Sequence, residues 1–293
     1  MLESSFSKPH ENRTDSLVNH SLDALILKAN ELRATCIDIS SRKKIPHLGS
    51  CLSCADILTV LFWDTMNLNT SNPLDPSRDR FLLSKGHASP IYLQALALRG
   101  FFDVSDLESF GANGSYFHEH PPKPGFINGV EAATGSLGHG FSMGLGMALS
   151  SKITNNSFNV FALLGDGECN EGVIWECALL APTLKVDNFI GIIDYNKLQA
   201  TGRSQEITSI HPLSKKWESF GWYVQEIDGH NICDIKLAFD NAMNQHARPS
   251  MIVANTVKGK GVSFMEDDNN WHYRTPNSVE LDDALSELRS LDL

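Results

Sequence analysis

Apolar residues recur at spacings of three and four soon after His20. Leu22, Leu25, Ile26, Ala29, Leu32, Cys36, Ile37 and Ile39 mark one face of a helix. A second helix is predicted over 53–63, where Ser53 and Asp56 form a capping box ahead of Ile57, Leu58, Val60, Leu61 and Phe62. A third fits 88–99, stopped by Gly100, and Ser105 with Glu108 starts a short fourth. The pattern breaks between 111 and 146, where nine glycines and three prolines mix with His118, His120 and His139. Regular structure resumes there only as a small-residue helix over 137–150. Short apolar runs bounded by turns follow at 159–164, 188–194, 222–227 and 251–255, with helical patterns near 172–180, 213–219 and 232–246 between them. A last surface helix fits 278–289, with Asn277 as its cap. Strands alternating with helices indicate βαβ units, a parallel sheet and an α/β fold with helices on both faces. No internal repeat or linker interrupts 19–293, which is one domain on this reading, after a polar, aperiodic tail over 1–18.

Composition narrows the classes. With 42% hydrophobic residues the chain is too apolar to be disordered, and 293 residues suffice for a sizeable core. A net charge of −11 argues against bulk electrostatic binding of nucleic acid or an anionic membrane. No apolar run approaches the roughly 20 residues that span a bilayer. Six scattered cysteines make no disulfide framework, and the first residues lack an apolar signal core; both fit a reducing cytoplasm. Cys51 and Cys54 have no second pair at zinc spacing and belong to a helix start.

Chemistry concentrates in 159–196. A buried strand ends at Gly165-Asp166-Gly167, and a second ends at Asp194-Tyr195-Asn196. In a parallel sheet both ends open on the carboxyl edge, where such sheets bind ligands. Asp166 and Asn196 can then share one crevice, although 30 positions separate them. Oxygen donors without sulfur or imidazole suit a hard cation such as Mg²⁺. Gly167 admits a diphosphate close to the backbone, and the helix start beyond it favours anionic oxygen. Gly165-Asp166-Gly167 alone is more often a turn; the two strands and the helix together weigh against that.

These residues resemble the thiamine diphosphate–Mg²⁺ signature, and Glu168-Cys169-Asn170-Glu171-Gly172 with Trp175-Glu176 is similar to transketolases in particular. The resemblance extends to Leu83-Ser84-Lys85-Gly86-His87-Ala88, to 130–140 around Thr134-Gly135-Ser136-Leu137-Gly138, to His120-Pro121, and to 258–265 with Trp271-His272. It covers about 20–290 in the family's order. It implies a thiamine diphosphate-binding fold and transfer of two-carbon ketol units between sugars or sugar phosphates. The cofactor carries the organic chemistry while the protein binds, orients and moves protons. By the resemblance, His47, His87, His120 and His272 would line a funnel around the cofactor and donor sugar. Asp166, Asn196 and the carbonyl of Leu198 would bind Mg²⁺, or Ca²⁺ or Mn²⁺ in its place. His87, Gly135, Ser136, Leu137, Gly167, Glu168 and Asn196 would hold the cofactor. Glu171 would support the carboxylate that activates its aminopyrimidine.

His118, His211, His230 and His246 are surface or satisfied polar residues on this reading, and His139, which stands where the family usually has Gln, is read equally as a packing residue or as one with a role in the site. Ile45-Pro46-His47-Leu48-Gly49 departs from the family's Ser-Gly-His-Pro-Gly. The chain also stops where a full-length transketolase begins its pyrimidine-binding domain. The resemblance therefore implies the N-terminal subunit of a split transketolase, working with a C-terminal partner in a heterotetramer. Rival readings are the α subunit of a 2-oxoacid dehydrogenase, a deoxyxylulose phosphate synthase fragment, and a non-catalytic regulatory subunit of the same fold.

Overall fold

The computed structural model describes residues 20–290. Its centre is a five-stranded, wholly parallel sheet of β1 (Arg80–Leu83), β2 (Val160–Gly165), β3 (Phe189–Tyr195), β4 (Tyr223–Asp228) and β5 (Ser250–Asn255), in the spatial order β1-β2-β3-β5-β4. The apolar runs lack alternation because both faces of the sheet are covered. Period two still sorts them. Phe161, Leu163, Ile190, Ile192, Ile252 and Ala254 enter one core, and Val160, Ala162, Leu164, Phe189, Ile193, Met251 and Val253 the other.

The helices in chain order are α1 (Leu22–Lys43), α2 (Leu48–Leu52), α3 (Ala55–Val60), α4 (Ser89–Leu98), α5 (His139–Ile153), α6 (Gly172–Thr183), α7 (Ser204–Ile207), α8 (Leu213–Ser219), α9 (Ile232–Met243) and α10 (Ser278–Ser290). The first core takes side chains of α1, α2, α3, α4, α9 and α10; the second takes those of α5, α6 and α8. Helices therefore lie on both faces, as expected from the alternating pattern. No helix among the described residues is long and apolar enough to cross a membrane. The expected tail over 1–18 lies outside the described residues.

The four expected strands fall within one residue of their predicted ends. Strand β1 is not among those expected: Arg80-Phe81-Leu82-Leu83 is too short to display a period, and pairing with β2 defines it. The capping box at Ser53 and Asp56 is wrong. The helix starts at Ala55 and relaxes into a π turn over Leu61–Thr65. Ser53 Oγ instead reaches Asp194, and Asp56 is buried against Arg33 and His230. The expected fourth helix is a 3₁₀ segment, Val104–Ser109, capped by Asp103, whose side chain accepts from the Ser105 amide at 2.8 Å. Glu108 is drawn off to Arg42 of α1. At α10 the capping expectation holds: Asn277 and Glu280 exchange side-chain-to-backbone bonds at 3.0 Å each.

The first turn of α5 lies directly on the end of β1. A methyl group at Gly140 would stand 2.6 Å from Ser84 Cα, whereas one at Gly146, on the same helix, would meet nothing within 4 Å. One substitution should thus act in opposite directions on one helix. Gly140→Ala should lose about 1–3 kcal/mol through overpacking, and Gly146→Ala should gain up to about 1 kcal/mol from helix propensity. Denaturant unfolding of both variants checks this; equal effects would mean that α5 does not dock as described.

Candidate active site

Strands β2 and β3 are neighbours, with Gly165 paired in register to Asp194. The turns that follow them therefore emerge side by side at the carboxyl edge. Asp166 leaves β2 and Asn196 leaves β3, both almost fully buried. Ser204 Oγ donates to Asp166 Oδ2 at 2.6 Å. Burial pushes the Asp166 carboxyl up to about 6, against the Ser204 bond, which lowers it. Leu198 N donates to Asn196 Oδ1 at 3.1 Å, and Asn196 Nδ2 donates to Asp194 Oδ2 at 3.2 Å. Leu198 bridges to Arg203 in a small hairpin that brings Ser204 back over Asp166. The donor set is one carboxylate, one amide oxygen and backbone carbonyl. Among the described residues no group of three or more His, Cys, Asp and Glu can hold a metal. A cation here would need the amide and carbonyl oxygens, with the rest of its shell from a bound anion or water.

Four histidines from four distant segments converge. The ring of His47 lies 5.4 Å from His87, 6.5 Å from His120 and 4.9 Å from His272, and His87 lies 5.7 Å from His272. The His47 amide donates to the His272 carbonyl at 2.7 Å, which joins the segment entering α2 to the one after β5. His47 itself is left-handed, with φ of 69°. Tyr273 packs on both His47 and His272, at 5.6 and 4.6 Å.

Two buried cations flank this cluster. Lys258 Nζ lies 2.9 Å from His272 Nδ1 and 2.9 Å from Asn269 Oδ1. Lys85 sits two positions before His87. Burial and then neighbouring His120 push His47 down to about 4. Burial and then Lys258 push His272 down to about 3. Burial, with Lys85 next, holds His87 well below the ordinary imidazole range. Burial likewise lowers Lys258 to about 8. Donation from the Lys258 ammonium makes Nδ1 of His272 the acceptor, so the proton of neutral His272 resides on Nε2.

The glycine segments line this edge by close approach. A Cβ on Gly86 would stand 2.8 Å from the Thr134 carbonyl carbon, one on Gly135 3.2 Å from the His120 ring, and one on Gly167 2.9 Å from Gln199. Three buried polar atoms here have no hydrogen-bond partner among the described residues: His47 Nδ1, Thr134 Oγ1 and Gln199 Nε2. Two of them are donors of a kind that serves an anionic or hydroxylated ligand. Ser136 is exposed and Leu137 half-buried, just ahead of α5.

Glu168 turns inward. Its carboxylate accepts from Ser84 Oγ, from Gly138 N at 2.7 Å and from Gly165 N at 3.2 Å, so it clamps the ends of β1 and β2 to the start of α5. Burial raises it to about 7, opposed by these bonds. Glu171 is exposed at the start of α6. The helix expected near 172–180 begins at Gly172, after a 3₁₀ turn over Gly167–Asn170. His139 is exposed on α5. His230 is a satisfied polar residue, bonded to Asp56 and to the Val257 amide at 2.8 Å each. Cys51 and Cys54 are free and buried, as is expected of a helix start.

Sequence reasoning missed Lys258, Gln199, Ser204, Asp194 and Tyr273. Asp194 carried a signal, since an acidic residue inside an otherwise apolar strand must be matched by donors. Ser204 and Gln199 carried none.

A parallel sheet whose carboxyl edge joins acidic and amide oxygens to partnerless donors and clustered histidines is that of an α/β ligand-binding fold. Comparison narrows the class. The protein-family description "Transketolase, thiamine diphosphate binding domain" matches residues 26–284. A 6-deoxy-6-sulfo-D-fructose transketolase subunit of Clostridium sp. (strain MSTE9) is 40% identical over 239 residues, covering 82% of this chain and 86% of that protein. One of the subunits of an apulose-4-phosphate transketolase from Phocaeicola vulgatus is 35% identical over 267 residues, covering 91% and 94%. The crystal structure of transketolase from Campylobacter jejuni superposes with a TM-score of 0.81 at 28% identity, and that from Leishmania mexicana with 0.86 at 26%. This chain spans 48% and 41% of those two chains. The chain belongs to the transketolase family and constitutes its thiamine diphosphate-binding part.

The residues present fit that cofactor, since donors without partners surround a glycine-lined edge carrying oxygen ligands. The electrostatics yield a testable titration. Unfolded imidazoles take up protons near pH 6.5, but His47 does so only at about 4 and His272 at about 3. Between those values the unfolded state binds more protons, so stability should fall as pH drops from 6.5 towards 4. NMR titration of the imidazoles should find both neutral at pH 6 and protonating at these low values. Midpoints near 6.5 would contradict the described cluster.

Proposed function

We propose that this chain is the diphosphate-binding subunit of a two-chain ketol transferase, which becomes active only with a second polypeptide carrying the pyrimidine-binding domain. The observation that carries the reading is the convergence of four histidines beside Asp166 and Asn196. Thiamine diphosphate, when bound, supplies the nucleophilic carbon that takes up the two-carbon fragment. Asp166, Asn196 and the Leu198 carbonyl would hold Mg²⁺ against the diphosphate. Gly86, Gly135 and Gly167 let Thr134, His120 and Gln199 pack close against the backbone there, and Gln199 would donate to the diphosphate. Ser136 and Leu137, just ahead of α5, would hold the cofactor, and Glu168 would support it through the turns that it clamps.

Neutral imidazoles at pH 7 can accept a sugar hydroxyl proton at one nitrogen and donate from the other. His272 would present its Nε2–H to the donor's oxygen, with the His47 ring packed beside it. Four histidines suit a polyhydroxylated substrate better than an oxoacid, which favours ketol transfer over a dehydrogenase half-reaction.

The need for a partner is supported by relatives of similar length being named as subunits, one acting on 6-deoxy-6-sulfo-D-fructose and another on apulose 4-phosphate. It is also supported by Leu179 and Leu180 on α6, Ile153 at the end of α5 and Leu184 just after α6, all exposed. Glu171, exposed at the start of α6, would meet the activating carboxylate supplied by the partner. A heterotetramer of two subunits of each kind, working in the cytoplasm on a sugar or sugar phosphate, completes the proposal, with 19–293 acting as one domain.

The purified chain, freed of host transketolase and given Mg²⁺, thiamine diphosphate and ketose donors, should show no ketol transfer until the second subunit is co-expressed. Within that pair, His87→Ala should lose roughly 10²–10⁴-fold in turnover while still binding cofactor. Asp166→Ala should lose Mg²⁺-dependent cofactor binding in calorimetry. Ketol transfer by the single chain would refute the two-chain reading, and full turnover in His87→Ala would refute the histidine role.

A further inference from the structure

Asp194 closes β3 with no exposure to solvent, and four side chains donate to it. Lys85 Nζ and Ser53 Oγ lie 2.6 Å from Oδ2, Asn196 Nδ2 lies 3.2 Å from the same oxygen, and Thr256 Oγ1 bonds Oδ1. Lys85, equally buried, also donates to the Ser50 carbonyl at 2.7 Å. A buried ion pair is weak evidence for stability, because desolvation offsets the attraction and an apolar pair often serves as well. The arrangement invites another role.

An amide is nearly symmetric in shape and wholly asymmetric in chemistry: one end only accepts and the other only donates. A cation can bind Asn196 only through oxygen. An ionised carboxylate can only accept, so beside Asp194 the amide nitrogen must face inward and the oxygen outward. The Leu198 amide, donating to Asn196 Oδ1, selects the same orientation from the other side.

We propose that Asp194, held as a carboxylate by Lys85, is a positioning residue that fixes Asn196 with its oxygen towards the cation site. This rests on the reading of Asn196 as a cation ligand. The buried pair then acts on cofactor affinity through one amide, in addition to holding the segments that donate to it.

The test measures thiamine diphosphate binding against Mg²⁺ concentration by calorimetry, in the assembly in which the wild type binds, with thermal unfolding of the same samples. The double variant Lys85→Met/Asp194→Leu supplies an apolar pair in place of the ions. It also takes an acceptor from buried Ser53, Thr256 and Asn196, so it should unfold at a lower temperature than the wild type. Measured below that temperature, it should lose about 10–100-fold in Mg²⁺ affinity, as on removal of an outer-shell partner. Adding Asn196→Ala should cost nothing beyond Asn196→Ala alone, since both act through the same ligand. A second variant stands independently should the first not fold. Asn196→Asp adds a negative charge, which would tighten Mg²⁺ binding if Asp194 were not directed at this side chain. With Asp194 placed as described, the new carboxylate faces another, and Mg²⁺ binding should weaken. Wild-type affinity in the apolar pair, independent losses that multiply, or tighter binding in Asn196→Asp would overturn the proposal. If the wild type binds no thiamine diphosphate with Mg²⁺, the site assignment itself falls; if it binds and Asp166→Ala does not, only the role of Asp194 is in question.

Discussion

A carboxylate with no access to water must be met by donors, and Asp194 draws its four from four separate segments. It stands at the carboxyl end of the central strand, so those segments have to converge there. Lys85 brings the turn after β1 and with it His87. Ser53 brings the segment after α2, whose other end carries His47. Thr256 brings the turn after β5, which continues to Lys258 and His272. Asn196 brings the hairpin after β3. Three of the four clustered histidines and one of the two edge oxygens therefore belong to stretches anchored on a single buried side chain. Burial without a partner would cost several kcal/mol, which makes the convergence strict.

The same burial sets the chemistry. Imidazoles next to Lys85 and Lys258 are discouraged from charging, because each added proton would meet an existing cation in a poorly solvated place. At neutral pH His47, His87 and His272 are neutral rings, each able to accept at one nitrogen and donate at the other. Charged rings could only donate, and would be useless for taking a proton from a hydroxyl group. The cations beside them do a second job, since they offset Asp166 and Asp194 across the same edge. Burial raises Glu168 to about 7, so its charge in this balance changes near neutral pH.

Much of this was legible in the sequence because it depends on local pattern. The continuous apolar runs of β2 and β3 imply a two-sided sheet, and a parallel sheet places Gly165 and Asp194 on one edge whatever the loops do. Motif resemblance located the four histidines and the Asp166–Asn196 pair. What failed was polar bookkeeping. Ser53, Asp56 and Glu108 are all good capping residues by type, yet each was taken by a partner at least 23 positions away in the chain. A local rule competes with every long-range donor in the fold, and a sequence does not reveal those. Strand β1 escaped for a related reason: four residues hold no period, and only the neighbouring strand makes them one.

The hairpin after β3 and the loop after β5 carry opposite sides of the site, so their mutual fixing matters. Three ties join them: Lys258 Nζ to the Gln199 carbonyl at 3.4 Å, Asn269 Nδ2 to the Ala200 carbonyl at 3.0 Å, and a bidentate Arg203–Asp267 pair at 2.5 and 2.6 Å. Geometry alone would rank the ion pair first. Its side chains are 42% and 54% exposed, however, and exposed pairs contribute about 1 kcal/mol or less. The amide of Asn269 is more sheltered and bonds at both ends, to Ala200 and to Lys258, so breaking it would strand buried groups on two segments. The stronger restraint is therefore the modest-looking amide. It links the hairpin that presents Leu198 to the lysine that sets the tautomer of His272.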